Sequence, residues 1–120
     1  MTLWVVKLGT SLLRGDTAAT IAGFAAGIAA AFARGDRVVL VSSGAVGLGC
    51  QRLQLPQRPE TVVALQAAAA TGQGQLMALY EQALANHGIA VAQILVTRSD
   101  LADRRRYQNA SGTLQQLLQW

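Results

Sequence analysis

Short apolar segments alternate with longer helical segments along this chain, and that order limits the folds open to it. Residues 3–8 and 37–41 are rich in apolar and β-branched side chains, as in strands buried on both faces of a parallel sheet. Residues 17–34 lie between them and carry Ile21, Phe24, Ile28 and Phe32 at spacings of three and four, which predicts a helix with one apolar stripe. Asp16 or Thr17 can cap this helix, and Gly35 is expected to end it in a left-handed conformation. Strand, helix and strand in this order predict an α/β fold, with a parallel sheet and helices on both faces.

The rest of the chain continues the same alternation. Helices are predicted at 45–53, 61–86 and 104–120, and a third strand at 89–96. Gly72 and Gly74 weaken the second of these helices, so we expect it to be kinked or divided. Because a last apolar helix in such a fold ordinarily leads to another strand, residues 1–120 are expected to form the N-terminal portion of a larger domain, with no second domain.

Composition argues against several classes of protein. The chain is 52% hydrophobic and only 13% charged, which is untypical of disorder, and polar residues interrupt every apolar run, so no membrane partner is expected. The single Cys50 and the absence of a signal-peptide pattern suit a reducing cytoplasm. The net charge is +4, but the arginines are scattered apart from 104–106, which point in three directions on a helix; no nucleic acid is expected.

The end of the first strand carries a candidate anion site. Lys7 is the only lysine, and Gly9, Thr10 and Ser11 follow it. An ammonium at the end of a buried strand is costly to desolvate unless an anion meets it. Glycine and two hydroxyl residues supply backbone N–H and O–H donors, which suit a phosphate. The alternative is a solvated lysine beside an ordinary turn.

Two further polar segments follow strands. Ser43 and Gly44 come after the second strand and precede a predicted helix, whose N-terminus exposes unpaired N–H groups. Residues 97–100, Thr-Arg-Ser-Asp, come after the predicted third strand. Open α/β sheets bind ligands at the carboxyl ends of their strands, so we expect all three segments to converge on one edge around an anionic substrate.

Other kinds of site have little support in the sequence. The glycines at 44–49 do not follow the dinucleotide-binding order, and the Walker pattern is absent. Cys50 has no basic partner nearby, so a buried inert thiol is expected. His87 precedes a helix-ending glycine, and Asp100 and Asp103 suit helix caps. No spacing typical of metal ligands is present.

Residues 5–11, 41–45 and 97–110 together resemble the glutamate 5-kinase family of the amino acid kinase superfamily. The lysine–glycine opening is shared across the superfamily, whereas the serine–glycine turn and the Thr-Arg-Ser-Asp segment make the match specific. The resemblance implies a three-layer αβα fold and an enzyme that phosphorylates the γ-carboxylate of L-glutamate with ATP and Mg²⁺. That reaction makes the first committed intermediate of proline synthesis.

The resemblance also implies roles for particular residues. Lys7 resembles the lysine that contacts the nucleotide phosphates and stabilises charge on the transferred group; Gly9, Thr10 and Ser11 resemble the loop beside it. Ser43 and Gly44 resemble a glutamate-binding position. The family's other substrate and nucleotide residues have no counterpart in this chain, and no magnesium ligands are assigned, so residues 1–120 alone are expected to be inactive. An open sheet edge and an uncovered last helix are expected to favour self-association, as in a homo-oligomer.

Three other interpretations stay open at this point. A nucleotide-dependent oxidoreductase on a related sheet is disfavoured by the missing glycine fingerprint. A kinase for another amino acid shares the lysine–glycine opening. A non-catalytic α/β fragment that binds an anion or self-associates requires no further residues.

Overall fold

The computed structural model describes residues 1–120, which form two strands and five helices. In chain order these are β1 (Leu3–Leu8), α1 (Thr17–Ala33), β2 (Arg37–Ser42), α2 (Ala45–Arg52), α3 (Val62–Ala85), α4 (Arg98–Ala102) and α5 (Arg104–Gln119). The strands are parallel, with Leu3 opposite Arg37 and Leu8 opposite Ser42. The predicted strand–helix–strand order and the parallel pairing are therefore confirmed. None of the helices combines the length and the hydropathy needed to cross a membrane.

Local signals fix the connection between the two strands. The Asp16 carboxylate caps α1 by accepting a hydrogen bond of 3.0 Å from the N–H of Ala19. After α1, Gly35 adopts a left-handed conformation with φ of 84°, as predicted from its position. Asp36 follows and is buried; its carboxylate accepts hydrogen bonds from the N–H of Thr2 at 2.9 Å and from Trp4 Nε1 at 3.1 Å. These bonds join the beginnings of β1 and β2.

The core lies on one face of the sheet. Its buried cluster draws on β1, α1, α2, α3 and the segment after β1, and consists of Leu8, Leu13, Ile21, Leu48, Leu76 and Tyr80. On the opposite face, Val5 is 67% exposed and Val41 is 49% exposed, so helices cover one face of the sheet in residues 1–120. In the predicted apolar stripe of α1, Ile21 is buried and Ile28 and Phe32 are half-buried, but the prediction is wrong at Phe24, which is 37% exposed.

Two glycines bring the main chains of α2 and α3 into direct contact. A Cβ on Gly72 would overlap the carbonyl oxygen of Ala45 and the nitrogen of Gly49, and a Cβ on Gly49 would overlap the carbonyl oxygen of Ala68. α3 nevertheless runs unbroken from Val62 to Ala85, so the predicted division of this helix is wrong. The helical cost of Gly72 is offset by an approach that no other residue type permits.

The predicted third strand at 89–96 is wrong. Only Ile89 in this segment makes a backbone hydrogen bond, from its N–H to the carbonyl of Leu84 at 3.1 Å, and residues 90–96 make none. A strand needs a neighbour to accept and donate its backbone hydrogen bonds, and no other strand lies beside this segment.

The last two helices form where the sequence predicts caps. Thr97 and Asp100 make a capping box at α4, and the Asp103 carboxylate accepts a bond of 2.9 Å from the N–H of Arg106 at the start of α5. Neither helix has a buried residue. Arg37 Nε donates a hydrogen bond of 2.7 Å to the carbonyl of Leu118, which ties the end of α5 to β2.

Candidate anion-binding cleft

A cleft with a volume of about 430 Å³ lies at the carboxyl ends of β1 and β2. Its walls come mainly from the segment after β1, from the turn between β2 and α2, from α2 itself, and from the segment between α2 and α3. The N–H of Ser43 donates a hydrogen bond of 2.8 Å to the carbonyl of Leu8, which holds the two strand ends side by side. The cleft therefore lies where an open parallel sheet is expected to bind a ligand.

Gly44 makes the turn from β2 into α2. Its φ is 111°, and a Cβ there would lie 3.2 Å from Leu13 Cδ1 and 3.5 Å from Leu76 Cδ1. A side chain at this position would therefore be both strained and crowded. This turn sets the direction in which α2 leaves the sheet.

The start of α2 presents unpaired donors to the cleft. The first hydrogen bond of α2 runs from the N–H of Leu48 to the carbonyl of Gly44 at 3.1 Å. The N–H groups of Ala45, Val46 and Gly47 have no acceptor within the chain, and these three residues line the cleft. Unpaired N–H groups at the positive end of a helix favour an anion over a neutral ligand.

The hydroxyl groups near the cleft divide into two kinds. Ser42 Oγ lies 2.6 Å from the Tyr80 hydroxyl and also donates to the carbonyl of Ser43 at 2.8 Å. Burial raises the pKa of the Tyr80 phenol, so Tyr80 stays neutral and contributes a structural hydrogen bond. The hydroxyls of Thr10 and Ser43 have no side-chain hydrogen bond within the chain, which leaves them available to a ligand.

The structure separates the residues predicted for the site into two groups. Thr10, Ser43 and Gly44 line the cleft. Gly9 and Ser11 belong to the same loop but do not line it, and neither does Lys7. Because successive side chains of a strand point to opposite faces, burial of Leu8 under the helices directs Lys7 to the exposed face, where Val41 is its partner in register.

The Thr-Arg-Ser-Asp segment does not join the cleft. Residues 97–100 form the start of α4, and none of them lines the cleft. The prediction that three strand ends converge is therefore correct for two segments and wrong for the third. The reason is physical: without a third strand in the sheet, nothing brings residue 97 to the edge where β1 and β2 end.

Two arginines that the sequence did not single out also line the cleft. Arg14 comes from the segment after β1, and Arg58 from the segment between α2 and α3. No aspartate or glutamate is among the lining residues, so the cleft is cationic. The sequence could have indicated this positive charge only through an arginine in each of two loops. Arginines in loops are common on protein surfaces, so they do not by themselves predict a binding site. The chain holds no group of three or more His, Cys, Asp or Glu side chains that fits a metal ion.

Comparison with known proteins identifies the family. A sequence profile described as Amino acid kinase family matches residues 2–120. All 120 residues align with the Glutamate 5-kinase of Parasynechococcus marenigrum (strain WH8102) at 99% identity and with that of Synechococcus sp. (strain CC9902) at 82%. The Glutamate 5-kinase of Geobacter sp. (strain M21) is 52% identical over 95% of this chain.

The chain spans about a third of the length of these relatives: 34% of the first two and 32% of the third. The match is continuous along the chain, so it includes β1, the cleft and both terminal helices. The resemblance noted from the sequence is thereby confirmed, and the partial αβα arrangement of residues 1–120 is consistent with it. This chain belongs to the amino acid kinase family.

Proposed function

We propose that residues 1–120 belong to an enzyme that transfers the terminal phosphoryl group of ATP to the γ-carboxylate of L-glutamate. The observation that carries the proposal is the 99% identity, over the whole chain, to a protein named Glutamate 5-kinase. The product, glutamate 5-phosphate, is the first intermediate of proline synthesis, and the proposed location is the cytoplasm. We also propose, on the same similarity, that the whole protein assembles as a homo-oligomer.

The cleft suits an acceptor that is already an anion. A γ-carboxylate is deprotonated at neutral pH, so the reaction needs no general base. The reaction does require that the acceptor carboxylate is held in place and that the repulsion between this carboxylate and the phosphate is screened. We assign glutamate binding to Ser43 and Gly44, because the Ser43 hydroxyl is free and the unpaired N–H groups of α2 begin directly after Gly44.

Phosphate contacts are assigned to the loop after β1. Gly9, Thr10 and Ser11 lie between the strand and the buried Leu13, and the Thr10 hydroxyl is free within the cleft. ATP supplies the phosphoryl group when bound. Magnesium is assigned to no residue here, because the side chains present do not form a metal-binding set.

Lys7 is the proposed catalytic residue. Its ammonium takes part in neither of the two ion pairs in the chain, which join Arg34 to Asp36 and Arg106 to Asp100. Within residues 1–120 Lys7 faces away from the helices that enclose the cleft, so this role is proposed on the family resemblance and requires the phosphates to lie at the end of β1. An ammonium without an ion-pair partner could there stabilise the negative charge of a transferred phosphoryl group.

The test of the proposed function is acyl phosphate formation. The protein is a full-length kinase in which residues 1–120 are this sequence and the remainder is that of the Parasynechococcus marenigrum relative. With ATP, magnesium and L-glutamate, hydroxylamine is expected to trap a glutamyl hydroxamate. ATP turnover that responds to aspartate or carbamate but not to glutamate would reject the assignment and favour a kinase for another substrate.

The same assay tests the role of Lys7. Replacing one charged group that stabilises a transition state lowers kcat by about 100-fold or more, and we expect this for Lys7→Ala. We expect Lys7→Arg to be nearly as damaging, because a wide planar guanidinium does not reproduce a compact ammonium. A kcat close to that of the unmodified protein in either variant would make Lys7 a structural residue.

A further inference from the structure

Arg14 and Arg58 are distant in sequence and line the same cleft. Arg14 lies between Leu13, which is buried, and Gly15, which has a φ of 76°. The N–H of Leu13 donates to the carbonyl of Thr10 at 3.2 Å, so the loop that carries Arg14 is held by its own backbone. Arg14 is thus presented from a fixed turn that begins at the end of β1.

The segment that carries Arg58 is held at both ends. The N–H of Leu55 donates to the carbonyl of Cys50 at 3.0 Å, and the Thr61 hydroxyl accepts from the N–H of Ala64 at 3.3 Å. Pro56 and Pro59 flank Arg58, and each proline fixes its own φ and restricts the residue before it. A restricted backbone lowers the entropic cost of ordering Arg58 against a ligand.

Neither arginine has a partner within the chain. The two ion pairs use Arg34 and Arg106, and no hydrogen bond is donated by Arg14 or Arg58. No acidic residue lines the cleft to neutralise them. Two guanidinium groups and the unpaired N–H groups of α2 therefore concentrate positive potential in one concave site, and a bound anion would reduce it.

We propose that Arg14 and Arg58 bind an oxyanion of the small ligand that enters this cleft, either a carboxylate or a phosphate. The planar fork of a guanidinium matches both groups through two parallel N–H···O bonds. The inference rests on the proposed function for the identity of the ligands, which are L-glutamate and the nucleotide. It adds two binding residues to the cleft, one on each of the loops that flank the turn at Gly44.

The test compares Arg14→Gln and Arg58→Gln with Arg52→Gln in the full-length kinase described above. Arg52 is the matched control, because it is exposed in the last turn of α2 and does not line the cleft. Calorimetric titration gives the Kd of L-glutamate and of a non-hydrolysable ATP analogue for each variant. Thermal unfolding of each variant verifies that it is folded. Arg14→Lys and Arg58→Lys are also measured, because lysine keeps the positive charge but lacks the planar guanidinium.

Each glutamine variant is expected to weaken one of the two ligands about tenfold, the effect of losing one charge-assisted hydrogen-bonding group, while Arg52→Gln leaves both affinities unchanged. The lysine variants are expected to have affinities between those of the glutamine variants and that of the unmodified protein. Weaker glutamate binding identifies a carboxylate as the bound group, and weaker analogue binding identifies a phosphate. Unchanged affinities for both ligands in both cleft variants would overturn the proposal.

The outcome is separable from that of the proposed function. Normal acyl phosphate formation with unchanged affinities in the arginine variants would remove this inference and leave the kinase assignment intact. Weakened ligand binding in a protein that forms no glutamyl hydroxamate would keep the role of the two arginines and reject the kinase assignment.

Discussion

Residues 3–85 and residues 86–120 each contain a predicted strand and predicted helices, but the two regions are packed very differently. Every buried residue lies in the first region, between Leu8 and Leu84, and the second region contains none. In the second region α5 is nevertheless a regular helix of 16 residues, whereas residues 89–96 are irregular. A helix satisfies its backbone hydrogen bonds internally, but a strand depends on a neighbour. An apolar pattern alone therefore predicts a helix more safely than it predicts a strand.

The difference in packing should appear directly in stability. Leu76→Ala removes a side chain that is 2% exposed and is expected to lower the free energy of unfolding by about 3 kcal/mol. Leu95→Ala is the matched change in the second region, where Leu95 is 73% exposed, and is expected to cost less than about 0.5 kcal/mol. Urea denaturation followed by circular dichroism measures both. Equal losses would mean that residues 89–96 are packed in solution.

A second test concerns what holds the first region together. Gly72→Ala places a Cβ against the main chain of α2 and is expected to destabilise the fold by about 2 kcal/mol. Gly74→Ala lies on the same helix with nothing within 4 Å of the added Cβ, and is expected to stabilise it by about 0.5–1 kcal/mol. The sign of the change in urea midpoint distinguishes the two. A stabilising Gly72→Ala would contradict the close crossing of α2 and α3.

The smallest expected effect is a difference in acid sensitivity between the regions. The N–H of Thr2, the indole N–H of Trp4 and nearby Arg34 hold the pKa of Asp36 below its usual 3.8. Because the unfolded chain then binds the proton more readily, Asp36 stabilises the fold above about pH 4, and this contribution is lost as the pH falls through the folded pKa. We expect Asp36→Asn to reduce the acid sensitivity of global unfolding.

Asp100 provides the control in the second region. The N–H and hydroxyl of Thr97 and the charge of Arg106 lower the pKa of Asp100 in the same direction. Its contacts stay within the two terminal helices, whereas those of Asp36 join β1 to the beginning of β2. Asp100→Asn is therefore expected to leave the acid dependence of global unfolding unchanged and to weaken only α4. Unfolding midpoints between about pH 2 and pH 6 test both variants.

Prediction from sequence succeeded where short-range signals decide the structure. Asp16 and Gly35 mark the ends of α1 because a cap and a left-handed residue act within a few positions. It failed at Phe24 and at residues 89–96, whose environment depends on elements that are distant in sequence.

The cleft shows the same division. Thr10, Ser43 and Gly44 were predictable because they follow strands, and the ends of parallel strands meet. Arg14 and Arg58 were not, because an arginine in a loop gives no sequence signal of which loops will face each other.

The contact of main chain with main chain at Gly49 and Gly72 has a consequence for how this cleft can evolve. The distance between α2 and α3 is set by backbone atoms, so resizing side chains elsewhere in the core does not reset it. Residues on the rim of the cleft are therefore free to change while the turn at Gly44 keeps its place. New ligand preferences in this chain are accordingly expected to arise by substitution on the loops and not by movement of the helices.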